Sequence, residues 1–316
     1  MVNKKLLALG VVVSTIPVNA EQLNKPNIIV ILVDDMGFSD LGCFGSEIQT
    51  PNLDKLAANG LRFNQFYNSA RSCPTRSSLL TGLHPHQAGV GWMTGSKYVG
   101  FENDAFQGTL NNRCVTMGEV LKSAGYFTAM AGKWHVGTNG PKLRGFDRSY
   151  EAQAFYYLKD ANGTHSVNID GVSTKNGGDA DPTNWYSSYK WAEWGNKYIN
   201  EGIAQQKPFF LYLAFNAPHF PIAAPDSVIQ KYLGKYSTGW SELRKKRYAR
   251  QKEIGLIDDK FILTPDDDSW SLWNGLSAKQ KAQQDSIMAT YAACVDIVDQ
   301  SVGRVVENLK AKGVFE

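Results

Sequence analysis

Apolar positions along the chain fall into two patterns, short unbroken runs and helically spaced faces, and these predict strands and helices in alternation. Asn27 to Val33 reads Asn-Ile-Ile-Val-Ile-Leu-Val, a β-branched run suited to a parallel strand covered on both faces. Tyr126 to Ala131 and Phe209 to Phe215 read as further strands, the latter introduced by Lys207-Pro208. Between them lie helix signals. Thr50 caps a short helix with Pro51 at its first position and Gly60 as its stop, and Thr116-Met117-Gly118-Glu119 opens another with a capping box that Gly125 closes. Pro74 and Gly82 bracket a third, with Pro74 at its first position. Ser277 to Lys312 reads as one long amphipathic helix, its face marked by Ile287, Met288, Tyr291, Val295, Val298, Val302 and Val305, and ended by Gly313. Such alternation predicts an α/β fold, a mostly parallel central sheet flanked by helices. The polar stretch from Lys159 to Trp185 and the charged, aromatic one from Tyr232 to Trp273 read as surface excursions.

Each strand runs out into residues able to carry chemistry: Asp34-Asp35-Met36-Gly37, Gly132-Lys133-Trp134-His135, and Asn216-Ala217-Pro218-His219-Phe220-Pro221. Open α/β sheets place ligand crevices at those carboxyl ends. Composition agrees with a folded domain: 316 residues, 43% hydrophobic, 12% aromatic and 20% charged. Residues 1–20 stand apart. Lys4 and Lys5 precede an apolar run from Leu6 to Val13, and Val18-Asn19-Ala20 offers a small residue before a cut, so they read as a signal peptide of an exported, periplasmic or secreted protein. The run is too short for stable membrane insertion. Without Lys4 and Lys5 the formal charge falls from +3 to +1, which removes any basic bias toward nucleic acid. Cys43, Cys73, Cys114 and Cys294 form no Cys-x-x-Cys pair, which argues against a zinc or thioredoxin-like site; disulfides and buried free thiols both remain open.

The most informative run is Arg71-Ser72-Cys73-Pro74-Thr75-Arg76, continuing Ser77-Ser78-Leu79-Leu80-Thr81-Gly82. Taken alone, Ser-x-Pro-x-Arg is an ordinary helix start, paired acids at a strand exit cap turns, and Lys133, His135 and Arg76 are surface residues by default. The whole run resembles the signature of type I sulfatases, in frame at Ser72, with Cys73 in the variable place. The resemblance implies oxidation of Ser72 to formylglycine (3-oxoalanine), whose hydrate attacks sulfur and later expels inorganic sulfate. It also implies that Asp34, Asp35 and the modified residue 72 bind calcium, with magnesium the lesser choice. By the same likeness Arg76 steadies the nucleophile, Lys133 binds sulfate, His135 contacts sulfate and takes the proton whose loss releases it, and His219 contacts sulfate and protonates the departing alcohol. A serine rather than a cysteine at that place implies maturation by a radical SAM sulfatase-maturating enzyme. Sulfated small molecules or glycans are the implied substrates.

Other residues carry weaker expectations. His84 and His86 read as loop residues and His165 as solvated; Trp92, Trp185, Tyr186, Trp191 and Trp194 either line a sugar or aryl pocket or pack a core, the commoner use. The family pattern continues past the long helix into a strand ending in Asp-Asn, a further lysine and a smaller C-terminal domain, whereas this chain stops at Gly313-Val314-Phe315-Glu316. Residues 21–316 are therefore expected to form the N-terminal part of a sulfatase catalytic domain, with an incomplete sheet and no small domain, and to be inactive alone. Two alternatives share the residues: a phosphodiesterase or phosphonate hydrolase of the alkaline phosphatase superfamily using unmodified Ser72, and a non-catalytic sulfated-glycan-binding protein.

Overall fold

The first apolar run becomes strand β1, Ile28–Leu32, in a computed structural model that describes residues 25–95, 103–153, 155–179, 182–266 and 272–316. The expected signal peptide lies outside these residues. Two more apolar runs form β2, Phe127–Gly132, and β8, Phe209–Ala214, buried along their whole length. Between them in sequence come β3 (Arg148–Glu151), β4 (Lys159–Asp160), β5 (Gly163–Thr164), β6 (Val167–Ile169) and β7 (Val172–Thr174). The main sheet has the order β1-β8-β2-β3-β6-β7. Its first three pairings are parallel and its last two antiparallel. The sheet is thus mixed, since Val167 to Thr174, within the expected surface excursion, forms a hairpin on its β3 edge. β4 and β5 pair with each other apart from it. β1 is half-buried rather than fully covered, because among the described residues it has a neighbour on one side only.

Two apolar cores sandwich the sheet. One joins it to α4 (Ser187–Ala204) and to the long helix α7 (Ala278–Ala311), with α1 (Pro51–Ala58) and α5 (Asp226–Ile229) against the same helix. Trp185, Tyr186 and Trp191 are buried in this core and Trp194 stacks on Tyr150 at 4.3 Å, so these aromatics pack the fold rather than line a pocket. The other core holds α2 (Ser72–Thr81) and α3 (Met117–Ser123) against the opposite face. The expected capping box of Thr116 with Glu119 forms, and a second, Ser277 with Gln280, opens α7. The buried Asp299 of α7 accepts from the backbone N–H groups of Asn52 and Leu53, supplying partners for the open first turn of α1.

Three expectations are corrected here. Pro74 is the third residue of α2, not the first, which a helix tolerates because amides of the first turn have no intrahelical acceptor. His165 stacks on Phe155 at 4.4 Å and meets Asp160 at 2.9 Å instead of standing free in water. Tyr232 to Trp273 is not irregular throughout: Trp240–Glu253 forms α6, a charged helix with no buried residue. All four cysteines are free thiols, and among the described residues no helix is long and apolar enough to cross a membrane.

Candidate active site

Parallel pairing brings the carboxyl ends of β1, β8 and β2 to one edge of the sheet, and the start of α2 lies beside them. β1 runs into Asp34, whose backbone N–H bonds the Ala217 carbonyl at 3.2 Å beyond β8. Lys133, next after β2, bonds the Ala214 carbonyl through its N–H at 2.8 Å. Asp35 and His135 adopt left-handed backbone, with φ of 61° and 53°, a conformation uncommon outside glycine and concentrated at functional turns. The bonds Ala217–Pro218 and Phe220–Pro221 on either side of His219 are cis.

At the centre is the Asp34 carboxylate. Lys133 Nζ is 2.5 Å from its Oδ2 and Arg76 Nη2 is 3.3 Å from its Oδ1, and all three side chains are at least 94% buried. Burial pushes the Asp34 pKa up, but Arg76 and Lys133 outweigh it, so the acid lies below its ordinary range. Arg76 uses the rest of its fork: Nε donates to Ser72 Oγ at 3.0 Å, and Nη1 donates to the Lys133 carbonyl at 2.7 Å and to the Tyr212 hydroxyl at 3.3 Å. One guanidinium thereby ties the signature helix to the exits of two strands.

His135 stands over this cluster with both ring nitrogens engaged, Nδ1 3.3 Å from Ser72 Oγ and Nε2 3.3 Å from Cys73 Sγ. Burial, then the nearby Lys133 and Arg76 cations, push its pKa down to about 4 against the opposing pull of Asp34, so the imidazole is neutral near pH 7. His219 lies nearer the surface. Its Nδ1 donates to the Phe220 carbonyl and its Nε2 is 3.6 Å from Asp35 Oδ2.

A cavity of about 800 Å³ opens beside Asp34, Asp35, Ser72 and Arg76, walled by Val30 to Leu32 of β1, by Val33 after it and by Tyr67 and His84. His86 instead packs edge-on to Phe106. Arg71 lies across the ring of Trp92 at 3.8 Å on the same rim. The donors here are carboxylate and hydroxyl oxygens, which suit a hard cation in kind. In number they fall short: among the described residues no three His, Cys, Asp or Glu side chains cluster to hold a metal ion.

The seven residues singled out from sequence sit at this one edge of the sheet, in two groups. Ser72, Arg76, Lys133, His135 and Asp34 share direct contacts; Asp35 and His219 pair beside them. Sequence reasoning missed Tyr212, which the twofold alternation of β8 aims at Arg76, and Cys73, which is no mere spacer since its sulfur meets His135. Neither has a local motif. Tyr212 could have been found only by pairing the parity of β8 with the polarity of its hydroxyl.

A family model described as sulfatase matches residues 26–316. The chain is 37% identical to an arylsulfatase of Klebsiella aerogenes over 98% of its own length and 68% of that protein's. It is 38% identical to an uncharacterized sulfatase of Schizosaccharomyces pombe over 92% of its length and 56% of that protein's, so it spans between half and about two thirds of these relatives. The solved structure of Ps i-CgsB in complex with k-i-k-neocarrahexaose superposes with a TM-score of 0.64 at 26% identity, covering 92% of this chain and 56% of that one.

Proposed function

This chain belongs to the sulfatase family, and from that premise we propose that the protein hydrolyses sulfate esters through residue 72. The observation that carries the reading is the single hydrogen-bonded cluster of Ser72, Arg76, Asp34, Lys133 and His135, drawn from a helix start and two strand ends. A serine hydroxyl attacking sulfur would leave a sulfated serine with no easy release, whereas oxidation of Ser72 to formylglycine and addition of water to the aldehyde give a geminal diol, whose second hydroxyl serves that purpose.

The chain's own side chains divide the remaining work. Arg76 holds the side chain at position 72 through Nε and its fixed charge favours a developing oxyanion beside it. The buried Lys133 ammonium neutralises a sulfate oxygen. Neutral His135 presents a nitrogen to position 72 and receives a hydroxyl proton there. His219, with Nδ1 tied to a backbone carbonyl, keeps Nε2 for giving a proton to the departing alcohol. Asp34 and Asp35 would supply carboxylate oxygens, and residue 72 a further oxygen, to a divalent cation, calcium before magnesium; a cation held there would supply Lewis-acid chemistry.

For the substrate we favour a sulfated glycan, a reading supported by the oligosaccharide bound in the superposed structure and by an open cavity with both polar and apolar walls. The basic and apolar start of the sequence supports export to the periplasm or beyond, and Ser72 supports maturation by a radical SAM enzyme.

The test is mass spectrometry of the tryptic peptide carrying residue 72, after expression with a radical maturase. Loss of two hydrogens at Ser72, trapped by a hydrazide, is the expected result. An unmodified serine, beside a serine-type sulfatase converted in the same cells, overturns the reading in favour of a phosphodiesterase or of a protein that only binds sulfated glycans.

A further inference from the structure

We infer that Cys73 is a positioning residue that holds His135 as the Nε2–H tautomer, leaving the Nδ1 lone pair facing residue 72. The inference follows from proton counting around Ser72. Its Oγ already accepts from Arg76 Nε at 3.0 Å, and an arginine at this place is always a donor. The hydroxyl proton is then free to point elsewhere, and His135 Nδ1 at 3.3 Å is the acceptor in reach. If Nδ1 accepts, the neutral ring carries its proton on Nε2, and that N–H points to Cys73 Sγ at 3.3 Å. The sulfur is suited to receive it. Cys73 is fully buried in the core beneath α2, and its other polar neighbours, Met93 Sδ and Thr94 Oγ1, are 3.9 Å away. Its sulfur has no surface open to bulk solvent.

The arrangement matters because a histidine with its proton on the wrong nitrogen cannot accept one from its neighbour. Adjacent residues of one helical turn thus hold both ends of one imidazole: position 72 meets the nitrogen that reacts, and position 73 sets that nitrogen's state. The catalytic consequence rests on the reading under "Proposed function"; the tautomer does not.

The experiment separates them. Nitrogen-15 spectra of the histidine-labelled chain near neutral pH report a pyrrole-type shift for the protonated ring nitrogen and a pyridine-type shift for the bare one. The expected result is pyrrole-type at His135 Nε2 in the wild type and in Cys73→Ser, whose hydroxyl still accepts, and averaged shifts in Cys73→Ala. In the matured enzyme, Cys73→Ala is expected to lower kcat about tenfold or more with KM little changed, and Cys73→Ser to recover part of that loss. Pyrrole-type Nδ1 in the wild type, or one unchanged Nε2–H tautomer across all three proteins, overturns the inference. If the tautomers behave as expected but residue 72 is never oxidised, the proposed function fails and the inference stands.

Discussion

Lys133 and Asp34 form a buried ion pair, Nζ to Oδ2 at 2.5 Å, that ties together the ends of two strands that are not neighbours, since β8 runs between β1 and β2. Arg76 is the third member, and the single carboxylate answers both cations. Asp34→Asn keeps the shape and removes the charge, leaving two cations out of water with no counter-ion. We expect a loss of about 3–5 kcal/mol in urea unfolding, in the range for breaking buried pairs from one side. Lys133→Met is expected to cost less, because Asp34 keeps Arg76. Equal stability of Asp34→Asn and the wild type would mean that the three side chains do not meet.

Glu151 has the opposite problem, a half-buried carboxyl that pairs with no cation among the described residues. It ends β3 in register with Gly132, and the hydrogen bond it accepts from Asn168 Nδ2, at 3.5 Å, is long. Burial raises its pKa from 4.5 to about 7. The folded state therefore holds this proton more tightly than the unfolded one, so the stability it contributes is full below about pH 4.5 and is lost as the pH rises through about 7. Glu151→Gln is expected to be more stable than the wild type by roughly 1–3 kcal/mol near pH 8 and to lose that advantage near pH 5. Unfolding curves at the two values decide it; a pH-independent difference would place the carboxyl in water.

How far the sequence could reach is visible in particular elements. The unbroken runs behind β1, β2 and β8 predicted their strands within a residue or two, and Thr116, Ser277, Gly82 and Gly313 marked helix ends through local chemistry. Local chemistry also carried the candidate site, because each strand exit bears its own short motif. What stayed hidden depends on partners distant in the chain. The hairpin from Val167 to Thr174 is too polar to announce itself and exists through pairing with β3. The meeting of Cys73 with His135 joins positions 62 residues apart and leaves no periodic trace. That Arg76 and Lys133 share one carboxylate is likewise a product of strand order, since both read as surface residues until the sheet is assembled.

Asp35 allows fold and function to be pulled apart. Its side chain is 60% exposed and faces His219 across 3.6 Å, while its backbone sits at φ 61°. Asp35→Gly suits that backbone, whereas Asp35→Ala keeps a Cβ that opposes it and loses the short polar side chain that tolerates it. The glycine variant is expected to be more stable than the alanine one by about 1 kcal/mol. Both lose the carboxylate, and both are expected to lose most sulfate-ester turnover in the matured enzyme. Full turnover in Asp35→Gly would remove this acid from the working site.

Gly132 sets how closely β2 and β8 approach where Lys133 leaves the sheet. Its φ is 120°, and a Cβ built there would lie 1.9 Å from the Ala214 carbonyl oxygen and 2.6 Å from its carbon. Both obstacles are backbone, at the carboxyl end of a parallel ladder, so no side chain can turn aside to make room. The same Ala214 carbonyl receives the Lys133 N–H at 2.8 Å, so separating the strands there also displaces the residue that carries the buried ammonium. Gly132→Ala is therefore expected to lower stability by roughly 3–5 kcal/mol, and second-site changes in the core are not expected to restore it, because the clash is not one of side-chain volume. Denaturant midpoints of Gly132→Ala beside Gly195→Ala decide the point. At Gly195 an added Cβ meets only the flexible Leu211 and Leu213 side chains, at 3.3 and 3.7 Å, so a much smaller loss is expected. Equal losses at the two glycines would show that β2 and β8 are not pressed together at Gly132, and the placement of Lys133 would then need another cause.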